Sequence, residues 1–303
     1  MAIFRRSSAL LKQSFHVLWQ DKQLAIFPLL SALACGAVLV SFATPIIATG
    51  LIEDISSRNG KEEITLGMKA LGAGLSFLFY FVCYVVMVYF NTALVSCAME
   101  RFDGKTPTVG GGLRTANSLL PQIIGWSLLA ATVGTILRMI EERVGFIGQI
   151  VVGLIGAAWS IATYFVVPVL VVERVGPTEA LKRSVNVMTK SWGTALVSNI
   201  GLGLLMVLAY IAATIPAFAG LAFTIKLHHW VPIVAGGTIT LVLIFLIALV
   251  TSAMQMILVA ALYRFAAAGT VPAGFVESDM RAAFAPKKEK AKSTIKKKKK
   301  TGF

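Results

Sequence analysis

Charge is scarce in this sequence. Asp, Glu, Lys and Arg make up 14% of 303 residues, hydrophobic residues make up 57%, and mean hydropathy is +0.80. A globule that faces water carries about 25% charge because its surface must be wetted, so a soluble fold is excluded. Histidine occurs only as His16, His228 and His229, and cysteine only as Cys35, Cys83 and Cys97. The cysteines all lie in apolar runs, which excludes a disulfide framework and leaves them as small packing residues. Gly110-Gly111-Gly112 lacks the lysine-serine ending and the preceding strand of a phosphate loop.

Long apolar runs are what the sequence has instead. Six stretches contain no Asp, Glu, Lys, Arg or His: Leu24–Gly50, Ala70–Met99, Thr115–Leu137, Val144–Val172, Ser191–Ile225 and Trp230–Tyr263. A helix needs roughly 20 apolar residues to cross the bilayer core. The last two runs, of 35 and 34 residues, are long for one crossing and short for two, so each is read as one tilted or overhanging helix. The reading is all-α: a polytopic membrane protein with six transmembrane helices at about 24–50, 70–98, 117–137, 145–172, 193–225 and 231–263.

Lys and Arg divide unevenly across these spans. Twenty-two lie on the side of the termini and six on the other, or eleven against six without the segment from Arg264 onward. The positive-inside rule therefore predicts that both the N-terminus and the C-terminus are cytoplasmic. The 23 residues ahead of the first span, and the length of that span, argue against a signal peptide.

Three segments, each just ahead of an odd-numbered span, align without gaps: Leu11-Lys12-Gln13-Ser14-Phe15-His16-Val17-Leu18, Leu113-Arg114-Thr115-Ala116-Asn117-Ser118-Leu119-Leu120 and Leu181-Lys182-Arg183-Ser184-Val185-Asn186-Val187-Met188. After the even spans comes a second echo, Glu100-Arg101-Phe102, Glu173-Arg174-Val175 and Tyr263-Arg264-Phe265. The pattern predicts a threefold repeat of a cytoplasmic helix followed by a two-span hairpin. The first helix, about 3–20, is amphipathic, with Phe4, Leu11, Phe15, Leu18 and Trp19 on one side and Arg5, Lys12, His16 and Gln20 on the other. The third, about 178–191, has Leu181, Ser184, Val185, Met188 and Trp192 facing one way and Lys182, Arg183, Asn186 and Lys190 away. Gly110-Gly111-Gly112 predicts only a bent turn at the middle segment. Such helices are expected at the headgroup level, apolar side in lipid and basic side toward anionic headgroups, with plain topology anchoring as the simpler role. Candidate headgroup ligands are Lys12, Arg114, Arg174, Lys182 and Arg183.

The stretch Glu173-Arg174 … Glu179-Ala180-Leu181-Lys182-Arg183-Ser184 … Lys190-Ser191-Trp192 resembles a signature of a broad bacterial group of six-span proteins. That group includes the membrane domain found beside glycerophosphodiester phosphodiesterases. The run Leu262-Tyr263-Arg264-Phe265-Ala266 … Gly269-Thr270-Val271-Pro272-Ala273-Gly274-Phe275 is similar to the close of the last span in one uncharacterised branch. Asp21-Lys22-Gln23-Leu24 … Phe27-Pro28-Leu29-Leu30 is similar to that branch's opening. The resemblance implies the six-span fold and a bacterial cytoplasmic (inner) membrane. It implies no activity here, since the phosphodiesterase chemistry belongs to a separate soluble domain and no histidine is followed by the arginine of a His-Arg-Gly site.

Enzymes and ion-coupled transporters of membranes usually keep ionisable groups at membrane depth, and these six runs have none. No catalytic residue, metal site or cofactor is therefore assigned. A metal site joining His228 and His229 to Glu141 and Glu142 is disfavoured, because adjacent histidines on an extended segment point apart. Pro45, Pro168 and Pro216 should bend their spans, and Gly153, Gly156, Gly201 and Gly203 are read as points of close helix contact. The membrane domain is placed at 1–275 and a Lys-rich, disordered cytoplasmic tail at 276–303, with one short helix before Pro286. After Pro286, nine lysines, among them Lys296, Lys297, Lys298, Lys299 and Lys300, face the single acid Glu289. No aromatic is interleaved before Phe303, so nucleic acid is not the expected partner. Anionic membrane lipids are, with a homo-oligomer or a separate membrane or soluble partner left open. The expected function is non-enzymatic and lipid or envelope related; the alternative is a transporter or channel for a neutral or amphiphilic solute.

Overall fold

The structure is a computed structural model that describes residues 2–48, 66–190 and 206–284. It is helical throughout, with no strand among the described residues. Six segments there are long and apolar enough to cross a membrane: Lys22–Pro45, Ala70–Phe102, Leu120–Glu141, Phe146–Glu173, Met206–Leu227 and Val231–Ala268. The protein is a multi-pass membrane protein. Residues 193–205 of the expected fifth span, and the lysines from 287 onward, lie outside the described residues.

The chain forms two compact units. One comprises Met1–Ala25, Ala98–Thr106 and Asn186–Phe303, the other Ile26–Cys97 and Pro107–Val185. In the first, helix α1 (Ala2–Gln20) leads through a 3-10 turn at Lys22–Ala25 into the first span, α2 (Ile26–Ala48). The second span, α3 (Leu66–Phe102), ends in this unit too. Its hairpin pairs α9 (Ile215–Leu227) with α10 (Val231–Ala268), and α11 (Glu277–Phe284) closes the described chain. Glycine makes the α9–α10 crossing close. A Cβ on Gly220 would lie 2.4 Å from the Pro232 carbonyl oxygen, and one on Gly236 would lie 2.3 Å from that of Pro216. Each proline sits four residues before the glycine of its own helix, so the contact is reciprocal. Thr240 Oγ1 accepts a hydrogen bond from the Ala217 amide at 3.0 Å, supplying a partner for a donor at the start of α9.

The second unit holds α2, most of α3, α4 (Val109–Ser118), α5 (Leu120–Glu141), α6 (Phe146–Ala162), α7 (Val166–Glu173) and most of α8 (Pro177–Lys190). The glycine triplet forms a helix instead of the bent turn its composition predicts. Thr108 caps α4 by accepting from the Gly111 amide at 3.1 Å. Gly112 then lies flat on α3, where a Cβ would meet Cys97 Sγ at 2.6 Å and the Ala93 carbonyl oxygen at 2.8 Å. The missing side chain is what lets the two helices approach.

The prolines also act differently from expectation. Pro45 lies inside α2. Pro168 and Pro216 instead occupy the first turns of helices that restart after breaks at 163–165 and at Thr214. Proline suits a first turn, where its missing N–H has no helical partner in any case. The expected glycine contacts move as well: a Cβ on Gly153 or Gly156 would meet nothing within 4 Å, whereas Gly112, Gly125, Gly220 and Gly236 face close neighbours. Gly201 and Gly203 lie outside the described residues.

Candidate functional site: the three aligned helices

The three aligned segments are all helical, in α1, α4–α5 and α8. Their burial follows one pattern. Leu10, Gly112 and Ala180 are buried; Lys12, Arg114 and Lys182 are exposed; Ser14, Ala116 and Ser184 are fully buried; and the next two residues of each segment are exposed again. Each helix thus seats itself through a face centred on a small residue. α1 packs on α10, Gly112 of α4 packs on α3, and Ser184 of α8 packs on the break in the fourth span.

This corrects two expectations. Only part of each expected apolar face is buried within the protein, Leu11 and Leu18 in α1 and Met188 in α8, because a stripe of Leu10, Leu11, Val17 and Leu18 around Ser14 fits closely against its own unit. The faces are also rotated from those the hydrophobic pattern predicts: Phe15 and Trp19 of α1 and Val185 of α8 stand exposed. A small residue at the centre permits a closer approach than a large one, so packing follows the serine and leaves the bulky residues at the edge.

Ser184 accounts for the break between α6 and α7. Its hydroxyl accepts from the Phe165 amide at 3.1 Å and donates to the Ala162 carbonyl at 2.6 Å, satisfying backbone groups at the interruption. The neighbouring Arg183 binds Glu173 at the end of α7 and Glu179 at the start of α8, the latter at 3.0 Å. Those hydrogen bonds, first to Glu173 and then to Glu179, push its guanidinium above its ordinary range. Two adjacent residues of α8 therefore hold both ends of α7.

Arg183 is thus occupied by two carboxylates, while Lys12, Arg114 and Lys182 point away from the protein. Arg174 is exposed and terminates α7 in a left-handed conformation, φ 52°. Its counterparts in the second echo are paired: Arg101 with Asp21 at 2.8 Å and Arg264 with Asp103 at 2.6 Å. Lys296 to Lys300 lie outside the described residues.

A groove of about 350 Å³ at the turn between α5 and α6 is lined by Ile136, Met139, Ile140, Arg143 and Val144, none of them a nucleophile or an acid. Glu142 pairs with Arg138 at 3.1 Å, and His229 Nδ1 accepts from the Val231 amide at 3.3 Å. No group of three His, Cys, Asp or Glu is placed to hold a metal ion among the described residues.

The sequence profile of a family of unknown function (DUF6159) matches residues 70–275, which is more than half of the chain. The protein belongs to this family. The match runs from the second span to the turn before α11 and takes in two of the three aligned helical segments. No curated protein is significantly similar to the chain.

What sequence reasoning missed at this site is the direction in which α1 turns its faces and the role of Ser184. The signal for Ser184 was present, since a serine interrupts an otherwise apolar face. It becomes interpretable only once the break at 163–165 is known.

Proposed function

We propose that the protein is a non-enzymatic component of the bacterial cytoplasmic membrane that holds anionic phospholipid at its headgroup-level helices, with both termini in the cytoplasm. One observation carries this reading: Lys12, Arg114 and Lys182 occupy the same position in three aligned segments and are all exposed, on helices whose opposite face is buried. A threefold repeat accounts for the shared burial pattern. Near an anionic leaflet each such cation contributes about 1 kcal/mol. The Lys-rich segment after Pro286 adds less specific attraction of the same sign.

The test is the selectivity of the reconstituted protein for spin-labelled phosphatidylglycerol over spin-labelled phosphatidylcholine. The triple variant Lys12→Gln/Arg114→Gln/Lys182→Gln should lose that selectivity while the fold is kept. Unchanged selectivity in the triple variant contradicts the reading.

A second reading, transport of a neutral or amphiphilic solute, draws on the interruptions at 163–165 and Thr214, since broken spans can line transport sites. Solute-dependent flux into proteoliposomes, abolished by substitution at the break, would favour it over the first.

A further inference from the structure

We propose that the exposed edge of α1 formed by Lys12, Phe15, His16 and Trp19, continued by Lys22, is an interfacial docking surface that seats the N-terminal helix in the headgroup layer of an anionic leaflet. The proposal deepens the lipid reading above and rests on it for the preference between anionic and neutral lipid; the insertion of the rings does not depend on it.

The orientation of α1 about its own axis is fixed by contacts that leave this edge outward. Leu10, Leu11, Ser14, Val17 and Leu18 are buried. On the flank, Gln13 Nε2 donates to Asp279 Oδ2 at 2.7 Å, and Gln13 Oε1 accepts from the Val276 amide at 3.2 Å, which ties α1 to the start of α11. Gly274, at φ 89°, brings the preceding turn so close that a Cβ there would lie 2.8 Å from Val17. With the helix held on two sides, positions 12, 15, 16 and 19 form one outward stripe at i, i+3, i+4 and i+7 spacing.

The chemistry of that stripe is interfacial. Phe15 is 43% and Trp19 62% exposed, with ring centroids 5.8 Å apart, and Lys22 Nζ stands 4.8 Å from the Trp19 ring centroid. Trp with flanking lysine belongs at the boundary between acyl chains and headgroups, where one end of the side chain is apolar and the other wet. Its position agrees: the first span begins at Lys22, three residues after Trp19, a rise of roughly 5 Å along a helix. Charge complementarity identifies the occupant. α1 contains no acidic residue, and Asp21, which follows it, is paired with Arg101. Phosphate headgroups fit such an edge better than a protein surface would, since a protein partner would have to supply acids to both lysines around a tryptophan that is itself under a cation.

The full chain would be reconstituted in vesicles of phosphatidylcholine alone and of phosphatidylcholine with phosphatidylglycerol, containing lipids brominated near the glycerol or near the chain ends. The Trp19 emission is the difference between the protein and Trp19→Phe. A second probe, Phe15→Trp in the Trp19→Phe background, covers the case in which removing Trp19 disturbs the helix. Docking predicts that shallow bromines quench both probes roughly twofold more than deep ones, with stronger quenching when phosphatidylglycerol is present. Equal shallow quenching in both vesicle types keeps the docking edge and overturns the anionic preference alone. Probes insensitive to bromine overturn the proposal. Full access to aqueous acrylamide would then mean that the edge faces water, and no access would mean that it is covered by protein.

Discussion

Gly220 and Gly236 each face a backbone carbonyl at a distance no real Cβ tolerates, so the smallest possible substitution there is informative. Gly236→Ala must push the α9–α10 hairpin apart and should cost about 1–3 kcal/mol, as overpacking does. It should appear as a lower melting temperature in detergent. Gly153→Ala is the control: nothing lies within 4 Å of its Cβ, and replacing glycine by alanine in a helix should be neutral or stabilising by up to about 1 kcal/mol. Ser184→Ala removes the hydroxyl partner of both the Phe165 amide and the Ala162 carbonyl. A buried polar group left unsatisfied costs about 1–3 kcal/mol, so this variant should also melt earlier, with faster amide exchange at Phe165 than elsewhere in α7. Ser184→Thr keeps a hydroxyl and should recover the exchange protection if its extra methyl is accommodated. Arg174 offers a way to separate fold from charge. At φ 52° it adopts a conformation that favours glycine, so Arg174→Gly should leave the melting temperature equal or raised while removing a cation from the surface.

At the scale of the element, helix α4 is the case in which composition and structure disagree most. Three consecutive glycines have low helix propensity, yet Val109–Ser118 is a helix because Thr108 caps it and because Gly112 must have no side chain where it meets α3. Thr108→Ala should cost about 1 kcal/mol, read as increased amide exchange at Gly111. Gly112→Leu, which imitates Leu10 at the aligned position, should prevent α4 from docking at all. The six spans were legible in the sequence because freedom from charge over twenty or more residues has one physical outcome in lipid. The rotation of α1 and α8 was not, because the hydrophobic pattern groups Phe15, Trp19 and Val185 on one face with Leu11, Leu18 and Met188, while the packing centres on Ser14 and Ser184 and leaves those three outside. The breaks at 163–165 and Thr214 were half legible: Pro168 and Pro216 announce an interruption, but whether a proline kinks a helix or begins a new one depends on whether the freed backbone groups find partners. At Phe165 the partner comes from α8.

For the whole molecule, the balance of Lys and Arg predicts a topology that labelling can check. Cys35, Cys83 and Cys97 all lie within span helices, so single cysteines introduced at the surface should dominate reaction with a membrane-impermeant maleimide. In intact cells Arg143→Cys should be labelled from outside, and Lys12→Cys and Lys182→Cys only after the membrane is opened; the reverse pattern would invert the orientation. Partly exposed ion pairs such as Arg101 with Asp21 and Arg264 with Asp103 contribute at most about 1 kcal/mol each, so high salt should leave the fold intact while weakening attraction to headgroups. The central claim, that the exposed cations of the three helices hold anionic lipid, is tested most directly by extracting the protein into polymer nanodiscs with its native lipids and analysing what comes with it. Wild type, a chain ending at Pro286 and the triple variant at Lys12, Arg114 and Lys182 would be compared. Enrichment of one anionic lipid class in wild type and in the shortened chain, lost in the triple variant, is the predicted result. A lipid profile matching the bulk membrane in all three, or enrichment that vanishes with the lysine tail alone, would contradict it.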